Sequence, residues 1–135
     1  MEPYQIINPA SLGVPRGWNN GMLADAGGRV LFVAGQTARD ASGQVPVLGF
    51  VEQFGRALEN VLTVVREAGG QPEHIGRLTI YVTDLATYRA GLKPIGELYR
   101  NAMGRHYPAM ALVQVVGLVD QRALVEIEAT AVIPV

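Results

Sequence analysis

One stretch near the end of the chain alternates without a break. From residue 124 to 133 the apolar residues Val125, Ile127, Ala129, Ala131 and Ile133 take one parity, and Leu124, Glu126, Glu128, Thr130 and Val132 take the other. A period of two sends successive side chains to opposite faces of a sheet, so the stretch reads as a strand with one fully apolar face. A strand of that kind must lie in a sheet with a second layer packed on its apolar side. Its other face carries Glu126 and Glu128. Two carboxylates on one strand face repel each other and resist burial unless paired or solvated. That face therefore meets water or lines a site.

The rest of the chain supplies the second layer. Phe50, Phe54, Ala57, Val61, Val65 and Ala68 recur at helical spacing within residues 47–68, and Gly69-Gly70 stops the pattern. Thr83-Asp84 offers a cap for a second helix over residues 85–103, with Pro94 placing a break near residues 91–93. Short strands are predicted at residues 5–7, 22–25, 29–34, 75–82 and 111–117. Gly27-Gly28 reads as a hairpin turn between the second and third, and residues 40–43 as a turn. The order β-β-β-α-β-α-β-β predicts a two-layer α+β domain over residues 1–135, a mixed sheet with two helices on one face.

Composition narrows the function. Lys plus Arg number 11 against 12 for Asp plus Glu, a net charge of −1, with no basic run. That argues against a nucleic-acid binder. Cysteine is absent, which removes disulfides, thiolate nucleophiles and thiolate-held metals. The two histidines, His74 and His106, are isolated and make no metal site. No apolar run is long enough to span a bilayer, and with no signal segment visible the expected compartment is the cytoplasm. Charged residues make up only 17% of the chain, so it is expected to bury surface against copies of itself.

Several segments together resemble the YjgF-like reactive intermediate deaminase (Rid) family. They are Leu31-Phe32-Val33-Ala34-Gly35-Gln36, the helix residues Gln53 and Asn60, Ala68-Gly69, Thr83-Asp84, Tyr107-Pro108-Ala109 and Val125-Glu126-Ile127-Glu128-Ala129. The resemblance implies a chorismate-mutase-like fold and a homotrimer with ligand clefts between subunits. It also implies hydrolysis of an enamine or imine to a carbonyl compound and ammonia, with no metal or organic cofactor. Glu126 matches the family's water-holding glutamate, and hydration of an imine needs such a carboxylate to position water and shuttle a proton.

The chain departs from the family at the cleft. The arginine that clamps a substrate carboxylate is here Met110, which cannot supply two parallel N–H donors. The family's Gly-Pro-Tyr-Ser loop is Arg16-Gly17-Trp18-Asn19, its serine is Ala34, and its cysteine position is Leu112. Trp18 and Asn19 are candidates to stack on and hydrogen-bond a ligand, and Gly35 to give close backbone approach. Arg105 or His106 is a candidate replacement charge beside Tyr107. Gln114 shares a strand face with Met110 and Leu112 and is expected to line the same cleft. Loss of the clamp favours a larger or more apolar conjugated substrate, and the resemblance offers an aminomuconate-like compound as the example. Binding of a small metabolite without turnover, or a regulatory or chaperone-like trimer, is the alternative.

Overall fold

The computed structural model describes residues 3–135. Its strands are β1 (Tyr4–Ile7), β2 (Gly21–Ala24), β3 (Arg29–Gln36), β4 (Ile75–Val82), β5 (Ala109–Gln114) and β6 (Val125–Ile133). Its α-helices are α1 (Phe50–Glu67), α2 (Leu85–Ala90) and α3 (Leu92–Met103). Four strands form a mixed sheet in the order β3-β6-β4-β5, in which β4 and β5 run parallel and the other pairs antiparallel. The expected two-layer α+β architecture is the one observed.

The alternation in β6 decides which way the sheet faces. Val125, Ile127, Ala129, Ala131 and Ile133 are all buried, while Glu126, Glu128, Thr130 and Val132 remain partly exposed. Phe54, Ala57, Leu58, Val61, Leu62 and Val65 of α1 pack on that buried face with Leu78, Ile80 and Val82 of β4. Burial of this apolar stripe is the main force joining the two layers.

α1 is also tethered by polar contacts. Gln53, only 1% exposed, donates from Nε2 to the carbonyls of Leu48 and Arg122 and accepts from the Leu124 N–H. Asn60, two turns along, donates to the carbonyls of Thr37 and Arg39. These two side chains fix the segment between β3 and α1 and the loop before β6 against the helix.

Three expectations need correction. The second helix is two, α2 and α3, joined at Gly91, so the described residues hold three α-helices where two were expected. Pro94 lies in the first turn of α3, where its missing N–H costs nothing. The turn at Gly27-Gly28 exists, but β2 and β3 do not pair across it; β2 pairs with β1, and β3 pairs with β6. A side chain at position 28 would collide with Val132, so this glycine serves close approach to β6, not a hairpin. Finally, β5 starts at Ala109 and stops at Gln114, because β4 ends opposite it at Val82.

The N-terminus of α2 is capped twice. Asp84 accepts from the Ala86 N–H at 2.9 Å, and Gln114 Oε1 accepts from the Leu85 N–H at 2.9 Å. Asp84→Ala is expected to lower stability by about 1 kcal/mol in urea unfolding. A change below about 0.3 kcal/mol would show that Gln114 alone suffices.

Candidate functional site

Directly opposed residues on neighbouring strands point to the same face of a sheet. Glu126 is opposed to Tyr81, and Glu128 to Thr79. These side chains stand on the face turned away from the helices. Beside them the β3–β6 ladder shifts register between Val33 and Gln36, so Ala34 and Gly35 form a bulge. The Glu126 carboxyl lies over the Cα of Gly35: a Cβ built there would stand 2.8 Å from Glu126 Cδ. Absence of a side chain, not backbone freedom, is what the position requires.

The two glutamates are held differently. Tyr81 donates its hydroxyl to Glu128 Oε1 at 2.9 Å. That bond, with the negative charge of Glu128 and Glu126 nearby, raises the Tyr81 phenol above its usual range. Glu128 is thus occupied within the sheet. Among the described residues Glu126 has neither a side-chain hydrogen bond nor an ion pair. It is a half-buried carboxylate with its acceptor sites open.

Met110 lies elsewhere. It is opposed to Leu78, and Leu112 to Ile80, both core residues beneath the helices. Within one chain Met110, Leu112 and Gln114 therefore stand on the opposite sheet face from Glu126. Met110 instead joins a cavity of about 220 Å³ on the helix side, lined by Phe54, Ile80, Ile95, Tyr99 and Tyr107 among others. Tyr99 and Tyr107 stack there with ring centroids 5.3 Å apart. Tyr99 donates to the His106 carbonyl at 2.6 Å, and burial pushes its phenol well above the usual range.

The remaining predicted residues separate into different duties. Leu112 packs against the core. Gln114 shares the Met110 face as expected, yet its carboxamide caps α2 and is not presented to the cavity. Asn19 pins its loop to the Pro108 turn, donating to the Tyr107 carbonyl and accepting from Asn8, so its carboxamide is already engaged. Trp18 is exposed, its indole N–H on Asn20, while its neighbour Gly17 lines the cavity. Arg105 is exposed and does not line the cavity, and the His106 ring bonds the Ile75 carbonyl. Within one chain neither lines the cavity that holds Met110.

Arg100, not among the residues singled out from the sequence, does line it. It lines the cavity together with Leu92, Ile95, Gly96 and Tyr99. These five residues have the i, i+3, i+4, i+7, i+8 spacing of one helix face. A cation and a glycine on an otherwise apolar stripe were the available signal.

Among the described residues no group of three His, Asp or Glu gathers as a metal site, and no helix is long and apolar enough to cross a membrane.

Residues 16–133 match the family described as Endoribonuclease L-PSP. The chain is 30% identical over 125 residues to a 2-iminobutanoate/2-iminopropanoate deaminase of Capra hircus, covering 92% of this chain and 83% of that protein. Among solved structures, YyfB of Yersinia pestis, a Rid-family protein of unknown function, superposes with a TM-score of 0.85 at 30% identity, covering 97% and 99% of the two chains. E. coli TdcF with bound serine superposes with a TM-score of 0.65 at 30% identity, covering 89% of this chain and 91% of that one. These neighbours have the chorismate-mutase-like fold expected from the sequence.

Proposed function

The chain belongs to the endoribonuclease L-PSP family, which includes the Rid and YjgF proteins, and from that premise we propose that it hydrolyses an imine or enamine to a carbonyl compound and ammonia. The observation that carries this reading is Glu126, an unengaged carboxylate set over Gly35 at a strand bulge. Relatives named as imine deaminases support the reaction class.

The chemistry needs one group that can take and return a proton. Glu126 accepts a proton from water as the water oxygen bonds to the C=N carbon. The proton then passes to nitrogen, giving a carbinolamine; Glu126 next takes the hydroxyl proton and returns it to nitrogen, the C–N bond breaks, and ammonia leaves as the carbonyl forms. An enamine first takes a proton at carbon to become the imine.

The reading includes a homotrimer with clefts between subunits. It is supported by the open sheet face, where Phe32 is 80% and Val30 57% exposed, more apolar surface than an isolated strand face tolerates. A cleft between copies is also the way Glu126 of one chain can meet a site on another, given that Met110 lies on the opposite face of its own sheet. Because Met110 offers no donors to a carboxylate, the substrate differs from that of the 2-iminopropanoate enzymes. The same residue favours a second reading, ligand binding without turnover. The family's ribonuclease designation finds no support in a chain of net charge −1 without a basic run.

The test is ammonia release by the purified protein, across freshly generated small imines and conjugated aminomuconate-type enamines. The expected result is turnover of the conjugated compounds, weak or absent activity on 2-aminoacrylate, and a sedimentation mass of a trimer. Silence across the panel from a folded trimer would overturn hydrolysis in favour of binding alone.

A further inference from the structure

We propose that Glu128 is a positioning residue for the reaction: it keeps the Tyr81 hydroxyl to itself, and so leaves the Glu126 carboxylate free to take a proton from water. The consequence for turnover rests on the hydrolytic reading of Glu126; the place of the Tyr81 hydroxyl does not.

Three side chains make the arrangement. Glu126 and Glu128 share the face of β6 turned from the helices, and Tyr81 of β4 is opposed directly to Glu126. Directly opposed residues have Cβ atoms about 5 Å apart, and diagonal neighbours, though farther, stay within reach of aromatic and long side chains. Tyr81 takes the diagonal, donating to Glu128 Oε1 at 2.9 Å. The bond to Glu128 is the main reason the phenol lies above its usual range, and the charge of Glu126 is near enough to add to it. The hydroxyl therefore stands between two carboxylates and is committed to the one that does no chemistry.

That choice matters because a phenol has one proton to donate. Spent on Glu128, it is withheld from Glu126, whose carboxyl lies instead over the bare Gly35. Given to Glu126, it would stabilise the ionised carboxylate and fill an acceptor site that the attacking water needs. The remaining cation of this face does not alter the choice. Arg77 is opposed to Thr130, beyond Glu128, and among the described residues the single ion pair is Arg66–Glu59. From β3 the same face receives Val30 and Phe32, opposed to Val132 and Thr130, which carry no charge.

The test uses the full chain in its native assembly. Glu128 is partly exposed, so its replacement leaves the core untouched. In a crystal structure of Glu128→Ala the Tyr81 hydroxyl is expected to have turned to Glu126, with Oη about 3 Å from the carboxyl. The same variant is expected to lower kcat for imine hydrolysis about tenfold with KM little changed. Glu128→Gln keeps an acceptor in place and is expected to retain kcat. Adding Tyr81→Phe to Glu128→Ala removes the competing hydroxyl and is expected to restore kcat, which a merely structural role for Glu128 would not allow. A Tyr81 hydroxyl still remote from Glu126 in Glu128→Ala, or a double variant as slow as Glu128→Ala, would overturn the proposal. Wild-type protein that releases no ammonia would sink the hydrolytic reading instead, and the position of Tyr81 in Glu128→Ala would then decide alone whether Glu128 keeps the hydroxyl from Glu126.

Discussion

Gln53→Leu is expected to destabilise the protein by about 3 kcal/mol, lowering the thermal midpoint by roughly 10 °C. Leucine keeps approximately the volume of glutamine, so the variant creates little cavity and isolates the polar loss. What it removes is the partner of three main-chain groups, the Leu48 and Arg122 carbonyls and the Leu124 N–H. A buried main-chain group left without a partner costs about 1–3 kcal/mol. Water reaches part of this region, because Arg122 is exposed, and leucine gains apolar contacts; both trim the sum. The effect should be local in origin and global in consequence. Gln53 joins α1 to the loop that delivers the chain into β6, the strand on which both layers pack. Urea unfolding with an unchanged slope and a lower midpoint is the expected pattern. A loss below 1 kcal/mol would mean that the freed groups are satisfied by water, and that the tether is incidental.

Gln53 also shows what a single sequence discloses. It sits at the start of an apolar stripe, and the resemblance marks its place, but neither tells what it binds, since its partners lie up to 71 residues away along the chain. The elements that were legible are those whose signal is local. The alternation of β6, the stripe of α1 from Phe50 to Val65 and the glycine stop at Gly69 each rest on spacing within one segment. The break near Pro94 was local as well, though its consequence, a separate α2, depended on Gly91.

What a single sequence does not disclose is the relation between segments. Period-two counting correctly put Met110, Leu112 and Gln114 on one face of β5 and Glu126 on one face of β6. It does not say whether those faces coincide. That is set by register, and a shift of one residue exchanges the faces entirely. Here β5 is aligned on β4 with Met110 against Leu78, while β6 is aligned on β4 with Glu126 against Tyr81, and the parities oppose. The Gly27-Gly28 error has the same origin. A turn signal was read as strand pairing, although the glycine was needed for contact with Val132, a residue distant in sequence. Arg100 was overlooked for a related reason. A charge on a helix is ordinarily a solvated residue, and only the fold reveals that its face borders a cavity.

Glu126→Gln is expected to lower kcat for imine hydrolysis by about 10²–10⁴-fold, because the amide cannot accept the proton of the attacking water. Loss of activity alone would not distinguish chemistry from placement, and Gly35 provides that distinction. Gly35→Ala leaves the carboxylate in the protein but puts a methyl group where its carboxyl now lies, 2.8 Å from Cδ. Only the end of a flexible side chain has to move, so stability should change by less than about 1 kcal/mol. The reacting water moves with the carboxylate, and a displacement of about 1 Å can cost around 10²-fold. Gly35→Ala should therefore approach the Glu126→Gln defect in kcat while the fold and assembly persist, and Gly35→Ala combined with Glu126→Gln should be no worse than Glu126→Gln alone. Additive losses would separate the two residues into independent roles. A fully active Gly35→Ala protein would show that the carboxylate acts from a position other than the one over the bulge, and the bulge would then be a feature of sheet geometry alone.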